Sequence, residues 1–151
     1  MDWPGDFFSM VLAVVLGAAI GVEREFSGKA AGLRTNVLIC LGAAAFTIIS
    51  KQMAGENEAL TRIAAQIVTG VGFLGAGAII QDRGGIHGLT TAATIWFVAS
   101  LGMACGAGLY ELALILTLLA VFVLIGFRQI QRPLRRYVQR HKSEDASNEH
   151  T

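Results

Sequence analysis

Charged residues are scarce in this chain, and their absence from long stretches is its most informative feature. Only 15% of the 151 residues are charged, whereas 54% are hydrophobic. The formal net charge is +1, so the composition gives no indication of nucleic-acid binding. The two cysteines, Cys40 and Cys105, both lie within apolar stretches. This placement argues against a disulfide framework or a metal site and favours two small packing residues.

Catalytic motifs are missing as well. His87 is the only histidine near the apolar stretches, and no Ser, His and Asp stand at the spacing of a catalytic motif. The glycines between residues 70 and 77 are not followed by the Gly-Lys-Ser/Thr of a phosphate-binding loop. We therefore expect neither an enzyme nor a protein with a bound cofactor.

Five apolar runs free of Lys, Arg, Asp and Glu fill most of the chain. They span residues 7–22, 35–50, 63–81, 84–110 and 112–127. A helix rises about 1.5 Å per residue, so even the shortest run covers roughly 24 Å of a hydrocarbon core about 30 Å thick. The sequence therefore predicts an all-α membrane protein with five transmembrane helices in one domain, residues 1–127.

The basic residues between these runs predict the orientation of the bundle. With five spans, ten of the twelve Lys and Arg fall on one side, and only Lys51 and Arg62 fall on the other. Short cytoplasmic loops retain Lys and Arg. We therefore expect the N-terminus outside the cytoplasm and the C-terminus inside it.

The segment after the fifth run divides into two kinds of sequence. Residues 128–142, from Arg128 to Lys142, place Ile130, Leu134 and Val138 at four-residue intervals among cations. This pattern predicts an amphipathic helix that contacts anionic lipids of the inner leaflet. Residues 143–151 are predominantly polar and are predicted to form a disordered tail.

A short pattern recurs in the two halves of the bundle. Leu-Gly-Ala at 16–18 is followed by a charged loop and by Gly-Leu at 32–33. Leu-Gly-Ala at 74–76 is likewise followed by a charged loop and by Gly-Leu at 88–89. Because both loops lie on the same side in this topology, the pattern predicts that helices 1–2 and 3–4 form a parallel repeat.

Glycines at helical spacing predict where helices approach each other closely, because small residues let helix backbones pack together in a membrane. Two interpretations remain open: packing within one chain or, beside the third helix, the face of a homo-oligomer or a substrate path. The glycines are Gly17 and Gly21 in the first helix, Gly70, Gly72, Gly75 and Gly77 in the third, and Gly102 and Gly106 in the fourth.

Charges at the first loop suggest an ion pair or a cation site. Glu23 lies near the C-terminal end of the first helix, where the helix dipole disfavours an anion, so we expect a compensating cation. Arg24 and Arg34 are the nearest candidates, and a pair between Glu23 and Arg34 would close the hairpin. Alternatively, Glu23, Glu25 and Asp82 form a cytoplasm-facing site for a divalent cation or a proton.

Several polar residues within the apolar runs must face other helices or water, since hydrocarbon offers them no partner. They suggest either hydrogen bonds between helices or the lining of a polar path. The main candidates are Asn36, Gln66, Thr90 and Thr91.

Five segments resemble the membrane domain of the MgtC/SapB family. They are GVERE at 21–25, AGLRTN at 31–36, RIAAQIV at 62–68, GVGFLGAG at 70–77 and GLTTAAT at 88–94, in the family's order. The resemblance implies a multi-pass bacterial inner-membrane protein of Mg²⁺ homeostasis, associated with growth in low Mg²⁺ and with virulence. Mg²⁺ would be its substrate or its signal. Many members carry a soluble C-terminal domain, and we expect this sequence to represent a short form without it.

The resemblance leaves two functions open. The first is Mg²⁺ transport along a polar path that ends at the cytoplasmic carboxylates. The second is regulation without transport, through contact with another membrane protein such as the ATP synthase or a cation uptake system.

Overall fold

The structure, a computed structural model, describes residues 3–53, 58–82 and 85–127, with the side chains of residues 58–60 and of Asp82 excepted. The predicted basic segment 128–142 and tail 143–151 lie outside the described residues. The elements are α1 (Trp3–Phe26), α2 (Leu33–Met53), α3 (Glu58–Gly77), β1 (Ile80–Asp82), β2 (Gly85–His87), α4 (Leu89–Ala107) and α5 (Tyr110–Phe127). The predicted helical architecture is confirmed, with one addition.

That addition is a small hairpin between α3 and α4. Strands β1 and β2 pair antiparallel, with Gln81 opposite Ile86. The third apolar run continues to residue 81, whereas α3 ends at Gly77. The fourth run starts at residue 84, but α4 begins at Leu89, where the recurring Gly-Leu pattern placed the opening of the fourth helix. Gly88 has a φ of 87°, which a right-handed helix cannot continue through, so α4 begins only at Leu89.

Helix α2 lies at the centre of the bundle, between α1 and α4. The core is built from small and branched apolar side chains, because the helices approach too closely for larger ones. Its fully buried members are Ala13, Ile20, Cys40, Ala44, Val98, Leu101, Cys105 and Ala113. The two cysteines are both free and buried in this core, in keeping with a packing role.

Helix α5 follows a tight turn and returns along α1. Gly108 ends α4 with a φ of 84°, and the amides of Gly108 and Leu109 bond the carbonyls of Cys105 and Ala104. The Tyr110 hydroxyl lies 2.9 Å from the Ser9 hydroxyl, and its ring stacks edge-on against Phe8. These contacts join the beginning of α5 to the first turns of α1.

Within the described residues, four helices are long and apolar enough to cross a membrane: α1, α2, α4 and α5. Their outward faces carry large apolar side chains, among them Phe7, Trp96, Leu118 and Phe122. Such a continuous apolar surface is expected of a membrane protein. Helix α3 is not one of the four, so the fifth span stays a prediction, as do the parallel repeat and the orientation.

Candidate functional site at the first hairpin

The last turn of α1 holds a buried ion pair. Arg24 and Glu23 have side chains only 3% and 10% exposed, and Arg24 Nη1 lies 3.6 Å from Glu23 Oε2. The Ser27 hydroxyl donates to Glu23 Oε1 at 2.5 Å, and Arg24 Nη2 donates to the Thr91 hydroxyl at 3.4 Å. The pair therefore ties the end of α1 to the first turn of α4.

The predicted pair between Glu23 and Arg34 is wrong. The cation that compensates Glu23 is the adjacent Arg24, and the Arg34 side chain is exposed near the start of α2. It lines a shallow cavity with Leu38 and Leu74 instead. Glu25, two residues further along the last turn of α1, is the carboxylate that reaches α2.

Glu25 caps the N-terminus of α2. Its Oε2 accepts a hydrogen bond of 2.9 Å from the backbone amide of Leu33, the first residue of the helix. The first turn of α2 carries no acidic residue of its own, so Glu25 supplies the anion that the helix dipole favours. The carboxylate also packs over Gly32, where a Cβ would overlap it.

Glu23 and Glu25 thus have different partners. Glu23 contacts Arg24 and Ser27, whereas Glu25 contacts the backbone of α2. The side chain of Asp82 lies outside the described residues, so the three-carboxylate site stays a prediction. Among the side chains described, no three or more of His, Cys, Asp and Glu are grouped so as to hold a metal ion.

A cavity of about 400 Å³ opens beside the ion pair, and we call it the basic cavity. It is lined by Glu23, Arg24, Ser27, Lys29, Thr90, Val123, Leu124 and Phe127. Two cations and one carboxylate give these walls a net positive charge. A bare divalent cation would be repelled from such a cavity, because like charges close together raise the free energy.

Asn36 belongs to the hairpin between α1 and α2 rather than to a polar path. Its side chain is fully buried, and Nδ2 donates to the carbonyls of Ala31 and Gly32 at 2.8 and 2.7 Å. Its Oδ1 is buried without a hydrogen-bond partner. These bonds fix the loop onto the first turn of α2.

The other predicted path residues lie in separate places. Thr91 is buried against Arg24, and Thr90 is exposed on the wall of the basic cavity. Gln66 is exposed and lines an apolar groove of about 580 Å³ between α2 and α3. We call this the α2–α3 groove; it is lined by Leu38, Ile39, Gly42, Ala43, Phe46, Ile63, Gln66, Ile67, Gly70, Val71 and Leu74.

Four of the eight predicted packing glycines lie in close contact with α2. A Cβ at Gly17 would come within 2.8 Å of the Cys40 Cβ, and one at Gly21 within 2.7 Å of the Leu33 Cα. On the other side of α2, the contacts are closer still. A Cβ at Gly102 would overlap the carbonyl oxygen of Cys40, and one at Gly106 would lie 2.6 Å from the carbonyl oxygen of Ala44.

The glycines of α3 differ from these. A Cβ at Gly75 would lie in ordinary contact with Ala92, 3.4 Å from its carbonyl oxygen. At Gly70, Gly72 and Gly77, a Cβ would meet no described atom within 4 Å. Close packing within the described residues is therefore not seen at these three positions, and Gly70 instead lines the α2–α3 groove. The oligomer face and the substrate path stay predictions.

Several wall residues of the basic cavity were not predicted from the sequence, among them Ser27 and three residues of α5. Ser27, four residues after Glu23, was a detectable signal, since that spacing places two helical side chains on one face. The α5 residues Val123, Leu124 and Phe127 carried no such signal, because only the fold brings the end of α5 beside the end of α1.

A family profile and several known proteins match this chain. The profile of the MgtC family matches residues 10–133. The chain belongs to the MgtC family. The resemblance that its motifs indicated is therefore confirmed. No solved structure matches it.

Three relatives come from bacteria. The chain is 42% identical to protein SrpB of Synechococcus elongatus over 144 residues, covering 87% of this chain and 79% of that protein. It is 47% identical to the putative magnesium transporter YhiD of Escherichia coli strain K12, covering 80% of this chain and 60% of that protein. It is 48% identical to protein MgtC of Brucella abortus, covering 81% of this chain but only 49% of that protein.

Proposed function

We propose that this MgtC-family chain is a multi-pass protein of the bacterial cytoplasmic membrane that acts in Mg²⁺ homeostasis. The similarity to YhiD, whose name describes a putative magnesium transporter, supports the process. The four apolar helices support the location. In this proposal α3 is a fifth span, the C-terminus is cytoplasmic, residues 128–142 contact anionic lipids, and the protein catalyses no reaction.

The mechanism that the geometry favours is regulation through contact with another membrane protein. Open glycines of α3 carry this proposal. Gly72 lies on one face of the helix and Gly70 and Gly77 lie on nearly the opposite face, and a Cβ at any of the three would meet no described atom within 4 Å. In a bilayer such a face lets the backbone of a partner helix approach closely.

Gln66 supports the same mechanism. It lies on α3 with its side chain exposed, at the edge of the α2–α3 groove. An amide group exposed to hydrocarbon has no partner there, and burial without a hydrogen bond costs free energy. A partner helix that hydrogen-bonds the Gln66 amide would remove that cost.

A growth experiment tests this mechanism. A Cβ at Gly72 would meet no described atom within 4 Å, so we expect Gly72→Leu to be inserted at wild-type abundance. We expect bacteria that depend on it for growth in low Mg²⁺ to lose that growth. Val68→Leu, at an exposed position of α3 that already carries a branched side chain, is the matched control and should retain growth. Full growth with Gly72→Leu would contradict the mechanism.

Transport of Mg²⁺ is the second candidate, supported by the name of YhiD, which describes a putative magnesium transporter. Its test is Mg²⁺ flux into liposomes that contain the purified protein and an internal Mg²⁺ dye. Flux that Glu23→Gln abolishes in correctly inserted protein would establish transport through the first hairpin. No flux above that of protein-free liposomes would leave the regulatory mechanism.

A further inference from the structure

We propose that the basic cavity binds the phosphate group of a membrane phospholipid whose acyl chain lies along α5. Its walls combine two chemistries. Arg24, Lys29, Ser27 and Thr90 provide cations and hydroxyls, whereas Val123, Leu124 and Phe127 provide an apolar side. A phospholipid presents the same two chemistries, an anionic phosphate next to hydrocarbon.

The electrostatics of the cavity favour an anion. Among the described wall residues Glu23 is the one carboxylate, and Arg24 at 3.6 Å compensates it. Lys29 adds a second cation, with an exposed side chain that is free to turn toward a bound phosphate.

Helix dipoles act on the cavity in both directions. The C-terminal turns of α1 and α5 on its walls disfavour an anion, so Arg24 and Lys29 provide the main attraction, and the N-terminus of α4 adds to it. Thr90, in its first turn, lies on the cavity wall, and the N-cap residue is Gly88, so no side chain caps the helix. Uncapped amides at the positive end of a helix dipole attract phosphate.

The position of the cavity identifies the source of the phosphate as a lipid. Phe26 and Phe127 are the final residues of two apolar helices that can cross a membrane, and their side chains are 85% and 53% exposed. The cavity lies at those two helix ends, which is the depth at which lipid headgroups meet the hydrocarbon core. Val123, exposed one turn earlier on α5, continues the apolar wall toward the membrane interior.

The experiment measures lipid retention by the full chain, using native mass spectrometry of detergent-solubilised protein with added phosphatidylglycerol. Lys29→Gln should lower the affinity about fivefold, since one Lys near an anionic headgroup contributes about 1 kcal/mol. The variant should fold, because the Lys29 side chain is exposed and its backbone amide alone bonds Arg24. Lys51→Gln, exposed in the last turn of α2, is the matched control and should change the affinity less than twofold.

Two further arms separate the lipid from a free phosphate. Glycerol 3-phosphate offers the same anion without an acyl chain, and Phe127→Ser removes apolar wall without changing charge. Weak binding of glycerol 3-phosphate, with loss of phosphatidylglycerol binding in Phe127→Ser, supports a lipid. Equal binding of the two probes would overturn the lipid assignment, and equal retention of phosphatidylglycerol by wild type and Lys29→Gln would overturn the site.

Discussion

The glycines of α4 and those of α3 differ in how much space surrounds them. Against α2, a side chain at Gly102 or Gly106 would meet backbone carbonyl oxygens. On α3, a Cβ at Gly70, Gly72 or Gly77 would meet no described atom within 4 Å. Glycine content alone therefore does not indicate a packed interface, because the same residue type supports a closed contact in one helix and an open face in another.

The difference has a physical basis in what holds each helix. Helices α1, α2 and α4 share a continuous core, and Arg24 of the buried ion pair also joins α1 to α4 through Thr91. Helix α3 contacts the bundle through a smaller cluster, in which Ile67 packs with Ala43 and Ala99. We expect the core of α1, α2 and α4 to tolerate few substitutions without loss of folding. The outer face of α3 should tolerate many.

Among the variants that test this difference between helices, Gly102→Leu should cause the largest loss of stability. Even one added methyl group would overlap the Cys40 carbonyl oxygen, and no flexible side chain stands there to give way. Overpacking of a core costs about 1–3 kcal/mol for a few atoms, so we expect a loss of at least about 3 kcal/mol. Thermal unfolding in detergent measures it, with Gly72→Leu as the matched control. Equal melting temperatures for the two variants would contradict the packing described for α4.

The second effect concerns the buried ion pair. Arg24→Gln removes the cation and leaves the Glu23 carboxylate uncompensated, so we expect a loss of about 3 kcal/mol in unfolding free energy. Adding Glu23→Gln should restore most of it, because the double variant leaves no lone buried charge. A double variant no more stable than Arg24→Gln alone would show that the charge pairing is not the cause.

Glu25→Ala should have a smaller effect, about 1 kcal/mol, through loss of the hydrogen bond to the Leu33 amide and of the favourable helix-dipole interaction. Glu25→Gln keeps an acceptor and should lose about half as much. Hydrogen exchange of the first-turn amides of α2 reports the change directly. Unchanged exchange in Glu25→Ala would rule out the capping role.

The smallest effect is expected for Arg34→Gln. The Arg34 side chain is exposed and Glu23 is paired with Arg24, so unfolding free energy should change by less than about 0.5 kcal/mol. Exchanging the charges of Glu23 and Arg34 should then destabilise the protein, since it places a second cation beside Arg24. A stable exchanged variant would instead support an ion pair between positions 23 and 34 across the first loop.

The sequence predicted the helices well, because charge-free apolar runs leave few alternatives to membrane-spanning helices. It failed where backbone geometry decides. The hairpin before α4 depends on the positive φ of Gly88, and the role of Glu25 depends on how tightly the first loop turns. For the ion pair, the need of Glu23 for a cation was correctly derived from the helix dipole, but the choice between Arg24 and Arg34 required the relative orientation of α1 and α2.

The most direct test of the open face of α3 is site-specific photo-crosslinking in living bacterial membranes, with a photoreactive amino acid at position 72. Position 118 on α5 is the control, since Leu118 is 71% exposed and should contact lipid alone. The regulatory mechanism predicts a discrete adduct with a different membrane protein from position 72 and none from position 118. Lipid labelling alone at both positions, or an adduct containing only a second copy of this chain, would contradict it.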